Sequence, residues 1–171
     1  GVARGLFSNE AGMGSTPHAH AIAKVEHPAE QGLVAIFGVF TTVLIVTFTG
    51  IVILVTGVLD YQTTGIELTQ KAYNLGLGSF GMSFVAICLF FFAYSTIIGW
   101  YFFGEQNVRF LFGDGGLLPY RLIVCAFIVV GATLKVDLVW ALADLFNGLM
   151  AVPNLLALLA LAGVVVAIDR K

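Results

Sequence analysis

The sequence predicts an all-α integral membrane fold with about four transmembrane helices, five being the alternative count, and three observations predict it. Of the 171 residues, 59% are hydrophobic and only 11% are charged, whereas soluble domains carry roughly half and a quarter. A helix rising about 1.5 Å per residue needs roughly 20 apolar residues to cross about 30 Å of hydrocarbon, and several charge-free windows reach that length. The charged residues gather at the edges of those windows instead of being spread through them.

Residues 1–30 form a polar opening, with Arg4, Glu10, Lys24, Glu26, Glu30 and the three histidines, so this stretch does not cross as a unit. Residues 31–59 are free of charge and mix β-branched residues with Gly and Thr, as lipid-embedded helices tolerate; they are the first span. Residues 60–79 are a polar, turn-rich loop ending in Gly76, Gly78 and Ser79, and residues 80–104 are the second span. Glu105, Arg109 and Asp114 frame a loop over 105–118 that holds "GDGG", and 119–134 is a short third span bounded by Arg121 and Lys135.

Pro153 divides the remainder, which reads as one span or two. Asp137 and Asp144 would each cost about 2.5–3.5 kcal/mol at the bilayer centre, whereas the window 145–168 holds no charge and is about 36 Å long as a helix. One span over 145–168 is therefore expected, kinked and not ended by Pro153. Residues 135–144 become a loop or short interfacial helix, and 169–171 a tail. Four spans put both ends on one side. The positive-inside rule then sets Arg4, Lys24, Arg109, Arg121, Arg170 and Lys171 against Lys71 and Lys135. The predicted topology is multi-pass in the cytoplasmic membrane, with cytoplasmic ends and with 60–79 and 135–144 outside.

The net charge of −2 and the lack of a basic cluster argue against a nucleic-acid partner. Cys88 and Cys125 fall inside apolar windows without CxxC spacing, which favours packing over a disulfide. The chain opens at Gly1, inside a motif-like run, and is expected to be a fragment lacking an amino-terminal part of the same protein.

Two stretches break the apolar pattern. In "RGLFSNEAGMGSTPHAHA", Gly5, Gly12 and Gly14 allow close backbone approach, Ser8 or Asn9 is a candidate helix cap, and Arg4 and Glu10 are a candidate ion pair. The alternative is a packed cytoplasmic loop. His18 and His20 are two apart with no Cys nearby, so surface roles are favoured over a metal site. Within the second span, Thr96 and Trp100 share a helix face, with Ser95 and Gly99 on the neighbouring stripe. Two adjacent hydroxyls offer hard oxygen ligands to a small cation, Gly99 leaves room, and Trp100 offers a flat wall with one donor. Equally, Ser and Thr in such helices bond back to carbonyls one turn earlier, and Trp sits at the headgroup belt.

The run "GVARGLFSNEAGMGS", followed in order by "FAYSTIIGWYFFGE" and "ALADLFNGLMAVPNLLALLAL", resembles the sodium:alanine (alanine or glycine:cation) symporter family over essentially the whole chain. The resemblance implies a fragment of a LeuT-like five-plus-five inverted-repeat transporter, with residues 1–30 at the cytoplasmic end of core helix six and the four spans as core helices seven to ten. It implies sodium-coupled symport of a small neutral amino acid, alanine or glycine, by alternating access. No enzyme chemistry and no cofactor are implied beyond sodium as coupling ion. Membrane lipid is the surrounding partner. Ser95, Thr96 and the backbone carbonyl of Phe92 are the implied sodium ligands, Thr96 and Trp100 the implied substrate contacts, and Arg4 and Glu10 the gating candidates. A membrane-embedded enzyme would need an intramembrane His, Asp or Glu pair, and none lies in the four windows. A channel or structural subunit is the rival reading.

Overall fold

Inside hydrocarbon a chain can satisfy its backbone N–H and C=O groups only by helix or closed barrel, and here the long apolar runs form helices. The computed structural model describes residues 2–60 and 62–169. The described helices are α1 (Val2–Ser8), α2 (Pro17–His20), α3 (Pro28–Thr56), α4 (Ile66–Leu77), α5 (Ser79–Phe112), α6 (Leu117–Thr133) and α7 (Val136–Asp169), with a 3₁₀ turn at Asp114–Gly116 before α6. Four helical segments are long and apolar enough to cross a bilayer: Pro28–Thr56, Ser79–Phe112, Asp114–Thr133 and Val136–Ile168. The charge count for orientation also uses Arg170 and Lys171, which lie outside the described residues. Most side chains of these helices are exposed; among the described residues the buried hydrophobic ones are Met13, Ala72 and Val85.

The chain divides into two compact units, Ala35–Ile98 and the pair of segments Gly1–Val34 with Gly99–Lys171. In the first of these, α3 hydroxyls bond back within the helix, Thr41 to the Phe37 carbonyl at 2.9 Å and Thr49 to that of Ile45 at 3.0 Å, which satisfies those hydroxyl protons in an apolar run. Asp60 then organises the turn into α4: Oδ1 accepts the backbone N–H groups of Gln62 and Thr63, while Oδ2 accepts the Thr63 hydroxyl and Lys71 Nζ. Those bonds, chiefly the Thr63 N–H and then its hydroxyl, hold the Asp60 carboxyl well below the usual carboxylate range. Residues 60–79, expected as a loop, thus contain a three-turn helix. It meets α5 at a sharp junction, where Gly78 N–H donates to the Asn74 carbonyl at 2.8 Å. A Cβ on Gly81 would overlap the Tyr73 carbonyl oxygen, so only glycine allows the two helices to meet this closely.

In the other unit, the end of α5 and the start of α6 are joined by polar contacts. Tyr120 donates its hydroxyl to the Tyr101 carbonyl at 3.1 Å, the two rings stack at 5.4 Å, and Arg121 Nε donates to the Tyr101 hydroxyl at 2.9 Å. Glu105 lies 3.1 Å from Arg109 and 4.0 Å from Arg121. α7 runs unbroken from Val136, so residues 136–144 begin the same helix that carries the last span. Two facts make that continuity tolerable. Asp137 lies in the first turn, where a negative charge complements the helix dipole, and Asp144 is met by a cation. Pro153 has no N–H to give the Leu149 carbonyl, yet the helix continues through it.

Candidate functional site

α5 carries the four residues singled out as ion and substrate contacts, Phe92, Ser95, Thr96 and Trp100. Ser95 donates its hydroxyl to the Phe92 carbonyl at 3.1 Å, so those two candidate ligands touch one another. This is the back-bond expected of a serine in an apolar helix; it leaves both lone pairs on the hydroxyl, while the Phe92 carbonyl also accepts the helix N–H one turn on. Ser95 and Thr96 are both exposed, and Trp100, one turn beyond Thr96, is half-buried with its ring edge-on to Phe103 at 5.9 Å. The tract is therefore an open helix face that offers two hydroxyls, a carbonyl and an indole.

Within the unit Ala35–Ile98, a cavity of about 440 Å³ reaches this helix one turn before Ser95. It is lined by Ile45 and Thr49 of α3, Thr69 and Tyr73 of α4, and Cys88 and Phe92 of α5. Thr69 and Tyr73 share one face of α4 because they are four residues apart. Cys88, free like Cys125, is part of this wall.

The gating candidates do not pair with each other. Arg4 Nη1 donates to Asp144 Oδ1 at 2.6 Å, and its guanidinium lies 4.0 Å from the centre of the Trp140 ring, which Phe7 meets edge-on at 5.6 Å. Glu10 Oε2 instead accepts the hydroxyl of Ser15, a side chain that is almost fully buried, at 2.5 Å. The backbone explains the separation. Glu10, Gly12 and Gly14 all have positive φ, which folds 10–15 into a knot after α1 and points Glu10 inward to Ser15. Neither Ser8 nor Asn9 caps a helix start; Asn9 donates its side-chain amide to the Gly5 carbonyl at 3.0 Å, at the end of α1.

The knot docks on α7, where Asn154 Nδ2 donates to the Gly12 carbonyl at 3.0 Å. A Cβ on Gly14 would come within 2.8 Å of the Asn154 Cβ. The histidines are held locally: His18 Nδ1 donates to the Ser15 carbonyl, Gln31 donates to His20 Nδ1, and Ala29 N–H donates to His27 Nδ1 at the start of α3. Among the described residues, no group of three His, Cys, Asp or Glu side chains converges as a metal site.

Trp140 and Asn154 lie outside the sites the sequence points to, and Asp144 figures there only as a charge to be kept from the bilayer centre. The available signal was a carboxylate one turn after a tryptophan in an otherwise apolar run. Its partner lies 140 residues away, a distance at which spacing is silent.

A profile of the sodium:alanine symporter family matches residues 1–171. The chain is 45% identical over 175 residues to the sodium/alanine symporter AgcS of Methanococcus maripaludis, covering 98% of this chain and 38% of that protein. It is 47% identical over 170 residues to the probable sodium/glutamine symporter GlnT of Bacillus subtilis, covering 96% and 35%. It is 43% identical over 166 residues to the amino-acid carrier protein AlsT of the same organism, covering 96% and 36%. The chain thus spans little more than a third of the length of these relatives.

Proposed function

Since the chain belongs to the sodium:alanine symporter family, a family of multi-pass membrane transporters and not of enzymes, we propose that the full-length protein couples sodium entry to uptake of a small neutral amino acid, alanine or glycine. Its frame in this reading is the LeuT-like inverted repeat, with α3, α5, α6 and α7 as core helices seven to ten. Residues 4–14, expected at the cytoplasmic end of core helix six, meet α7 at Asp144 and Asn154 and so lie within the bilayer, and the chain from Pro17 to α3 is the cytoplasmic continuation. The observation that carries the reading is the match along the whole chain, with the hydroxyl tract of α5 inside it.

In mechanism, the Ser95 and Thr96 hydroxyls and the Phe92 carbonyl supply oxygens to sodium, and Thr96 and Trp100 contact the amino acid. Three oxygens are too few for a hard cation, which takes about six, so the rest of the shell comes from the remaining part of the transporter and from the substrate. A site built from two bodies gives sodium a differential affinity for the conformations that bring them together, and that difference is what couples ion to substrate. Arg4 and Glu10 act at the gate through Asp144 and Ser15, their respective partners.

The test is uptake of radiolabelled alanine and glycine by the full-length protein in liposomes, with glutamine as competitor because one relative is named for it. Sodium-dependent alanine or glycine uptake that Trp100→Ala abolishes is expected. Uptake indifferent to sodium and to Ser95→Ala, Thr96→Ala and Trp100→Ala would favour a channel or structural subunit.

A further inference from the structure

The end of α5 and the start of α6 pack along a seam whose register two glycines set. On α5, Gly104, Val108 and Phe112 are spaced by one turn and share a face. Gly116, just before α6, and Tyr120 in its first turn are spaced in the same way. A Cβ on Gly104 would overlap the Tyr120 hydroxyl oxygen, and one on Gly116 would come within 2.9 Å of the Phe112 Cβ and 3.0 Å of the Val108 Cγ1. Each glycine is thus the space that a side chain from across the turn fills. A slip of α6 by one residue would bring the Tyr120 ring onto Phe103 or Glu105, where no such space exists.

What the seam grips is Tyr101. Its carbonyl accepts the Tyr120 hydroxyl at 3.1 Å, its ring stacks on that of Tyr120 at 5.4 Å, and its hydroxyl accepts Arg121 Nε at 2.9 Å. Backbone, ring and hydroxyl of one residue are therefore all held by two consecutive residues of α6. The carbonyl is also part of the α5 ladder, so the Tyr120 bond fixes the rotation of the helix itself and not only that of a side chain. Trp100 is the preceding residue, and a helix turns about 100° per residue, so the direction in which the indole leaves α5 follows from how Tyr101 is held. The aromatic contact of Trp100 is with Phe103 of its own helix, which turns with it.

We propose that Tyr120, given room by Gly104, is a positioning residue for the amino-acid site: by bonding the Tyr101 carbonyl it sets the rotation of α5 and with it the direction of the Trp100 indole. It acts through Trp100 and does not itself touch the substrate. The proposal rests on the symport reading for the contact between Trp100 and the amino acid, whereas the contacts that hold Tyr101 lie within one compact unit.

The test uses the full-length protein in liposomes. Tyr120→Phe removes the hydroxyl and keeps the ring that stacks on Tyr101, and the alanine concentration for half-maximal uptake should rise about three- to tenfold. The maximal rate per transporter should stay within about twofold, because a contact weakened alike before and during translocation changes apparent affinity and not turnover. Gly104→Ala, which pushes the whole tyrosine aside, should raise the half-saturation further. A half-saturation equal to wild type in Tyr120→Phe, or a loss confined to maximal rate, overturns the proposal.

Fluorine NMR of the same protein labelled with fluorotryptophan separates positioning from general damage. The resonances of Trp100 and Trp140 are identified by their loss in Trp100→Phe and Trp140→Phe. Tyr120→Phe should move the Trp100 resonance and leave that of Trp140, on α7, in place; an unmoved Trp100 resonance, or an equal shift of both, overturns the proposal. Tyr120→Phe and Gly104→Ala are separate routes to the same displacement, so either decides if the other fails to reach the membrane. Wild-type protein without sodium-dependent uptake would defeat the symport reading, and the Trp100 resonance would still decide whether Tyr120 sets the rotation of α5.

Discussion

Ser95 donates to the Phe92 carbonyl, and that single bond bears on how α5 would accept a cation. A hydroxyl that donates keeps both lone pairs, so a sodium ion can join Ser95 without breaking its bond, whereas the Phe92 carbonyl also accepts the helix N–H one turn on and reaches sodium only by sharing the lone pair that takes the Ser95 proton. Ser95→Ala removes one oxygen and frees the Phe92 carbonyl, and should raise the sodium concentration for half-maximal uptake several-fold, about 1 kcal/mol for one neutral ligand. Ser95→Thr, which keeps the oxygen, should stay near wild type. A sodium titration of uptake checks both, and an unchanged half-saturation in Ser95→Ala counts against the assignment.

Asp60 gives a second prediction at this scale. Its carboxyl is held below the ordinary range by the Thr63 amide and hydroxyl, with help from Lys71. A depressed carboxyl stabilises the fold fully above its unfolded value of about 3.9, and that contribution is lost only as pH falls through the lower folded value. The turn before α4 should therefore hold through ordinary acid conditions, and carbon-13 titration of the Asp60 carboxyl in the full-length protein should give a midpoint well under 3.9. A midpoint at the ordinary value would mean that the turn is not formed as described.

At the scale of elements, the junction of α4 and α5 depends on one missing side chain. Gly81→Val would drive its Cβ into the Tyr73 carbonyl, forcing the helices apart, and should lower stability by about 1–3 kcal/mol. A thermal unfolding midpoint equal to that of wild type would contradict this close approach. The long helices were legible in the sequence because charges mark their edges: the window 145–168 lies inside α7, and 31–59 overlaps α3 from its fourth residue to its end at Thr56. The start of α7 was less legible, and for a physical reason. Asp144 taken alone argues against membrane depth, whereas Asp144 paired with Arg4 does not. The short α4 was hidden in the same way, since its amphipathic pattern lies in a polar stretch and its formation depends on the Asp60 turn. The site followed the same division. The hydroxyl tract of α5 could be read from its spacing, and the Ser95 back-bond was one of the two readings it allowed. The partners of Arg4 and Glu10 could not be read, because they are set by the positive-φ knot at 10–14 and by a residue 140 positions away.

For the whole molecule, the chain spans little more than a third of the length of its relatives. In the symport reading, the exposed apolar faces of α3, α5, α6 and α7 meet lipid and the rest of the transporter, and the oxygens of α5 would supply part of a coordination shell. The central claim is that the full-length protein moves sodium and amino acid together. Its most direct test is accumulation of radiolabelled alanine in liposomes carrying an inward sodium gradient, followed by collapse of that gradient with a sodium ionophore. Coupled symport predicts that internal alanine rises above the external concentration and falls back when the gradient is collapsed. Alanine that only equilibrates across the membrane, with or without the gradient, would contradict it.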